Sequence, residues 1–183
     1  MSVAIPNEAE AAEKLRLAVR DIQDFPKPGI VFKDITPILS DHELFRLMVT
    51  ILVERYKKQQ IDRIVVIDAR GFLIGSAVAY VLGVGLALVR KKGKLPYKCI
   101  EASYSLEYGE ATVEMHEDAL NQGEKVIVID DVLATGGTMA AAVELCEKIG
   151  AQVVETAFLM ELSFLKGREK LNGKSAFAIL EYD

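Results

Sequence analysis

Three short strings in this sequence set chemistry-bearing side chains beside backbone that can meet an anion. In the first, the apolar run Val126-Ile127-Val128-Ile129 ends in Asp130-Asp131 and continues as Val132-Leu133-Ala134-Thr135-Gly136-Gly137-Thr138. Thr135 to Thr138 are expected at a helix start, where unpaired N–H groups and the positive end of the helix dipole favour an anion. Gly136 and Gly137 let the backbone approach a phosphate with no Cβ in the way, and the two threonine hydroxyls add donors. Asp130 and Asp131 would repel a phosphate placed directly on them, but they suit hydroxyl groups a short distance away. A phosphate held by the loop and a sugar held by the acids describe a ribose 5-phosphate.

The second string is Asp68-Ala69-Arg70-Gly71, directly after the apolar run Ile64-Val65-Val66-Ile67. A guanidinium and nearby amides at a strand end can grip a polyanion, although a surface ion pair would also account for Arg70. The third is the basic run Arg90-Lys91-Lys92-Gly93-Lys94. Such a run is often a solvated face; beside a phosphate site it becomes a pyrophosphate clamp. Other phosphate fingerprints fail. Gly167 and Gly173-Lys174-Ser175 have one residue too many between the glycines for a P-loop, and Gly83-Val84-Gly85 is followed by Leu88 where a dinucleotide motif needs its last glycine.

The elements that must position these strings follow a strand–loop–helix rhythm. Residues 64–67, 86–89, 126–129 and 153–160 read as strands, with residues 176–180 as one more. The wholly apolar runs 64–67 and 126–129 belong to strands covered on both faces. Helices are expected over 8–20, from 42 or 43 to 57 with Asp41 as cap, over 72–82 closed by Gly83, and over 138–149 closed by Gly150. The string Phe25-Pro26-Lys27-Pro28-Gly29 stops the first helix, and Ile30-Val31-Phe32 reads as extended. Such alternation implies an α/β fold, a parallel sheet with helices on both faces, with ligands beyond the carboxyl ends of its strands. Residues 102–109 and 111–115 look like two extended arms of a projecting hairpin or lid.

Composition narrows the classes. A chain of 183 residues suggests one domain with a self-sufficient core. Its formal charge of −5 disfavours a general nucleic-acid binder, and no run approaches the ~20 apolar residues of a membrane span. The acidic N-terminus has no signal-like apolar core. Cys99, Cys146, His42 and His116 show no metal-ligand spacing. These features point to a cytoplasmic enzyme or binding module.

The 126–138 string resembles the phosphoribosyl pyrophosphate (PRPP) motif of type I phosphoribosyltransferases, and further segments are similar to the adenine-specific members of that family. Asp24 to Pro37 resembles their base-recognition segment, Asp68 to Leu73 their pyrophosphate loop, Arg90 to Pro96 their basic segment, and Ala102 to Gly109 their flexible catalytic loop. The similarity runs from about Leu17 to the C-terminus, including Glu161-Leu162 and Leu165 to Glu169.

The resemblance implies a single phosphoribosyltransferase domain, with an N-terminal hood over about residues 1–35 and a flexible loop over about 95–116. It implies conversion of adenine and PRPP to AMP and pyrophosphate through an oxocarbenium-like transition state. Asp130, Asp131, Ala134, Thr135, Gly136, Gly137 and Thr138 would hold ribose and phosphate; Ala69, Arg70, Arg90, Lys91 and Lys94 would hold pyrophosphate. Val31, Phe32, Lys33 and Val132 would meet adenine. Glu107, as general acid/base, and Arg70, Asp130 and Asp131 would serve the chemistry, with Tyr108 helping close the site. Mg²⁺ would arrive held mainly by PRPP, with no firm protein ligand, and a homodimer is expected, without nucleic-acid or membrane partners. The family commonly has arginine where Lys33 stands and leucine where Val132 stands. A PRPP-binding regulator without turnover and a sister transferase for hypoxanthine or guanine are the alternatives.

Overall fold

The computed structural model describes residues 7–105 and 109–183. Helix α1 (Glu8–Ala18) starts where Asn7 accepts from the Ala9 N–H at 3.3 Å, with Glu8 and Glu10 in its first turn. Ala11 and Leu15, one turn apart, carry its buried stripe. The helix was expected to reach Arg20. Instead the chain turns extended at Val19, and β1 (Arg20–Gln23) pairs antiparallel with β2 (Val31–Asp34). The intervening turn is closed by the Asp24 carboxylate, which accepts from the Gly29 N–H at 2.7 Å, so both arms find partners that a longer helix would deny them.

A short helix α2 (Thr36–Ser40), unforeseen in the sequence, leads to α3 (His42–Tyr56). Asp41 caps α3 as expected, accepting from the Glu43 and Leu44 N–H groups at 2.8 and 3.0 Å. Then follow β3 (Arg63–Ile67), α4 (Arg70–Leu82), β4 (Gly85–Lys91), β5 (Cys99–Ser105), β6 (Glu110–His116), β7 (Lys125–Leu133), α5 (Gly137–Ile149), β8 (Gln152–Leu162) and β9 (Ala176–Tyr182). Two 3₁₀ turns, Ser163–Leu165 and Gly167–Leu171, lie between β8 and β9. Gly83 and Gly150 close α4 and α5 in the left-handed region.

Among the described residues the main sheet has seven strands in the order β5-β6-β4-β3-β7-β8-β9. Its body, from β4 to β9, is parallel, and β6 and β5 extend it antiparallel at one edge. The hairpin therefore does not merely project; its base joins the sheet where Arg90 and Lys91 pair with Glu114 and Val113. Ile64, Val66, Ile127 and Ile129 enter the core beneath α1, α3 and α4, while Val65, Ile67, Val126 and Val128 enter the core shared with α5 and the hairpin. Two covered faces account for the uninterrupted apolar runs. Close approach of α4 to β3 depends on Gly75, where a Cβ would fall 2.1 Å from Val66 Cγ1.

Candidate active site

The sheet reverses its winding between β3 and β7: β3 connects through α4 to β4 on one side and borders β7 on the other. Ligands of parallel sheets sit at such switch points, beyond the strand ends. Pairing of β3 with β7 stops at Val66 and Ile129, but β7 runs on, because the longer β8 still pairs with it at Asp130, Val132 and Leu133. The acid pair therefore lies inside a strand rather than after one. It occupies the stretch where one edge of β7 has lost its neighbour, and the gap opens as a cavity of about 360 Å³.

Two helix N-termini reach this cavity, that of α4 through Ala69 and Arg70 and that of α5 through Gly136 to Met139. Neither has a side-chain cap, so their first N–H groups are available to an anion. Of the residues singled out in the sequence, Ala69, Arg70, Arg90, Lys91, Asp130, Asp131, Val132, Ala134, Thr135, Gly136, Gly137 and Thr138 all line the cavity. Val31, Phe32, Lys33 and Lys94 do not. Glu107 and Tyr108 lie outside the described residues.

The charges are ordered in pairs. Arg70 donates through Nε to Asp131 Oδ2, and its guanidinium carbon stands 5.6 Å from the Phe32 ring centroid. Phe32 thus adjoins the cavity through Arg70, with the Phe25 ring edge-on at 5.3 Å. Arg90 donates through Nε to Asp68 Oδ2 at 2.9 Å and through Nη1 to the Lys94 carbonyl at 3.1 Å. The Lys33 ammonium is engaged elsewhere, 2.7 Å from Asp21 Oδ1 and 4.4 Å from the Tyr182 ring. Burial and the neighbouring Asp131 charge push the Asp130 carboxyl well above the usual carboxylate range, against the opposing bond it accepts from the Asp131 N–H at 2.8 Å. An acid held this way favours the arrival of positive charge.

A family model described as a phosphoribosyl transferase domain matches residues 35–176. The adenine phosphoribosyltransferase of Syntrophotalea carbinolica is 56% identical over 93% of this chain and 99% of its own length. The crystal structure of adenine phosphoribosyltransferase from Thermoanaerobacter pseudethanolicus superposes with a TM-score of 0.91 at 44% identity, covering 93% of this chain and 99% of that one. The Saccharomyces cerevisiae adenine phosphoribosyltransferase, complexed with an imino-altritol bisphosphate and adenine, gives 0.89 at 43% identity, covering 94% and 99%.

The chain belongs to the adenine phosphoribosyltransferase family.

Within this adenine phosphoribosyltransferase framework, three site features were missed in the sequence. Tyr104 on β5 lines the cavity, and its hydroxyl accepts from Thr138 Oγ1 at 2.9 Å. The signal was present: Ile100, Ala102 and Tyr104 alternate with exposed Glu101, Ser103 and Ser105, the mark of a strand with one covered face. Asp68 also lines the cavity, as the partner of Arg90. The glycines of the loop answer packing demands. Gly136 has φ +78° and a Cβ there would fall 2.3 Å from the Gly167 carbonyl oxygen, while a Cβ on Gly137 would fall 2.6 Å from the Tyr104 ring. No local pattern could have shown Gly167 under this loop.

Proposed function

We infer that the protein joins adenine to PRPP, forming AMP and releasing pyrophosphate. The carrying observation is the convergence on one cavity of two uncapped helix N-termini, two arginines and the Asp130–Asp131 pair. The loop 134–138 receives the 5′-phosphate. Asp130 and Asp131 accept from the ribose hydroxyls, and the Ala69–Arg70 turn with Arg90 and Lys91 takes the pyrophosphate. Val31 to Lys33 and Val132 meet adenine; backbone N–H and C=O groups of an extended segment match its N1 acceptor and amine donor, a pattern hypoxanthine inverts. Because the Lys33 ammonium is already engaged by Asp21, the reading of the base is assigned to backbone of the 31–33 segment rather than to that side chain.

In the reaction the bond between C1′ and the pyrophosphate oxygen breaks, and adenine N9 bonds to C1′ from the opposite face. Asp130 and Asp131 stabilise the positive charge that develops on the ribose. Glu107 takes the proton that adenine sheds at N7, and Tyr108 helps exclude water that would hydrolyse PRPP. An adjacent pair of carboxylates, one already bonded to Arg70, suits a Mg²⁺ that keeps phosphate and water ligands rather than a protein cage. Such an ion neutralises pyrophosphate charge.

A homodimer accords with an uncovered apolar surface. Leu73, Tyr80 and Val81 of α4 are half or more exposed, and Leu86 and Leu88 show the outer face of β4. Among the described residues no helix is long and apolar enough to cross a membrane.

The test is incubation with PRPP, Mg²⁺ and, separately, adenine, hypoxanthine, guanine and xanthine, followed by nucleotide separation. AMP from adenine alone is expected. IMP or GMP would overturn the base assignment, and PRPP binding without any product would favour a regulator.

A further inference from the structure

The loop 134–138 rests on backbone from a segment distant in sequence. A Cβ on Gly136 would fall 2.3 Å from the Gly167 carbonyl oxygen and 3.1 Å from Gly167 Cα; a Cβ on Gly167 would fall 2.3 Å from the Ala134 carbonyl oxygen. The two glycines meet backbone to backbone, so any shift of Gly167 is passed directly to Ala134 and Gly136. Whatever holds Gly167 therefore sets the height and tilt of the loop.

Residues 163–171 have little apolar anchoring of their own. Phe164 and Leu165 are exposed, and Leu171 is the deeply buried apolar side chain of the stretch. The strong attachment is Arg168, next in sequence to Gly167. It donates through Nε to Glu161 Oε1 and Oε2 at 2.9 and 2.8 Å, through Nη2 to Oε2 at 2.6 Å, and through Nη1 to the Ala176 carbonyl at 2.7 Å. Glu161 is buried on β8, paired in register with Leu133, the β7 residue that precedes Ala134. One planar guanidinium thus ties the 163–171 segment to the strand beside the start of the phosphate loop and to the start of β9. A forked donor on a buried carboxylate fixes both distance and orientation, which a single point contact does not. Arg168, Glu161 and Gly167 do not line the cavity.

We propose that Arg168 and Glu161 are a positioning pair for PRPP binding: they brace Gly167 beneath residues 134–136 so that the loop presents its amides at the distance and angle a 5′-phosphate requires. This rests on the assignment of residues 134–138 as the 5′-phosphate loop. The brace acts on a ground-state contact with PRPP, not on adenine, so its loss should be felt in KM for PRPP.

The experiment compares Arg168→Ala, Arg168→Lys, Glu161→Gln, Thr135→Val and Arg63→Ala with the parent in KM for each substrate, kcat and Tm. Arg63 makes a comparable forked pair with Glu124, at 3.2 and 3.0 Å, at the opposite end of β3, and controls for stability alone. Arg168→Ala is expected to raise KM for PRPP about tenfold with KM for adenine within about twofold, and Arg168→Lys to recover part of the loss. Arg63→Ala should lower Tm with both KM values unchanged. Should Arg168→Ala fail to fold, Arg168→Lys and Glu161→Gln carry the same comparison with smaller shifts. A KM for PRPP that stays within about twofold in the Arg168 and Glu161 variants, or that rises equally for adenine, overturns the brace. Thr135→Val reports on the loop itself. If it weakens PRPP while the brace variants do not, the loop assignment stands and the brace falls; if it leaves PRPP untouched, both fall.

Discussion

Arg70 and Asp131 face each other across the switch point, the arginine from the first turn of α4 and the aspartate from the unpaired edge of β7. Asp131 is buried while the Arg70 side chain is 43% exposed, so the pair has one partner fixed and the other turned to the cavity. A carboxylate in that position holds the guanidinium at the cavity and limits where it can swing.

Removing that guanidinium should therefore cost function more than fold. For Arg70→Ala, kcat/KM for PRPP is expected to fall about 100-fold, with a loss of only a few degrees in Tm because the arginine is substantially solvated. Arg70→Lys should recover only part, since an ammonium lacks the forked geometry. Steady-state kinetics with a parallel thermal melt checks both.

Asp130 has its carboxyl pKa raised by burial and by Asp131. A folded-state pKa above the unfolded one means that the native state holds the proton more tightly. Stability from this group is full below the ordinary carboxylate range and is lost as pH rises through the raised value. Asp130→Asn, neutral at every pH, should raise Tm by about 2–4 °C at pH 7–8, a gain that shrinks toward pH 4, while turnover drops. Melts from pH 4 to 8 read it directly, and a gain that is flat with pH would contradict the assignment.

Gly136 and Gly29 share a positive φ, +78° and +86°, but only Gly136 has a neighbour in the way. Gly29→Ala should cost about 1–2 kcal/mol, the conformational term alone. Gly136→Ala adds the collision with Gly167 and should both lower stability further and abolish measurable PRPP binding. Urea unfolding and calorimetric PRPP titration of the two variants make the comparison.

Glu107→Gln should lower kcat by about 10²–10⁴-fold with KM for PRPP little changed, since a proton transfer is lost and no phosphate contact is. Turnover within about twofold of the parent would remove Glu107 from the chemistry.

What the sequence by itself determined was local. Ile64–Ile67 and Val126–Ile129 announced strands covered on both faces, Asp41 announced a cap, Gly83 and Gly150 announced helix ends, and the strings at 68–70, 90–91 and 130–138 supplied residues that line one cavity. Each rests on dihedral preference, periodicity or hydrogen-bonding capacity, which neighbouring residues carry among themselves. Tertiary structure alone decided how far β7 runs past β3, since that depends on the length of β8 beside it. It also decided that β6 joins β4, that Tyr104 meets Thr138, and that Gly167 lies beneath Gly136. Those partners are about 20 to 35 residues apart in sequence. They are brought together by the order in which strands pack side by side and helices cover the sheet, a choice made by burial of the whole core rather than by any one segment's preference.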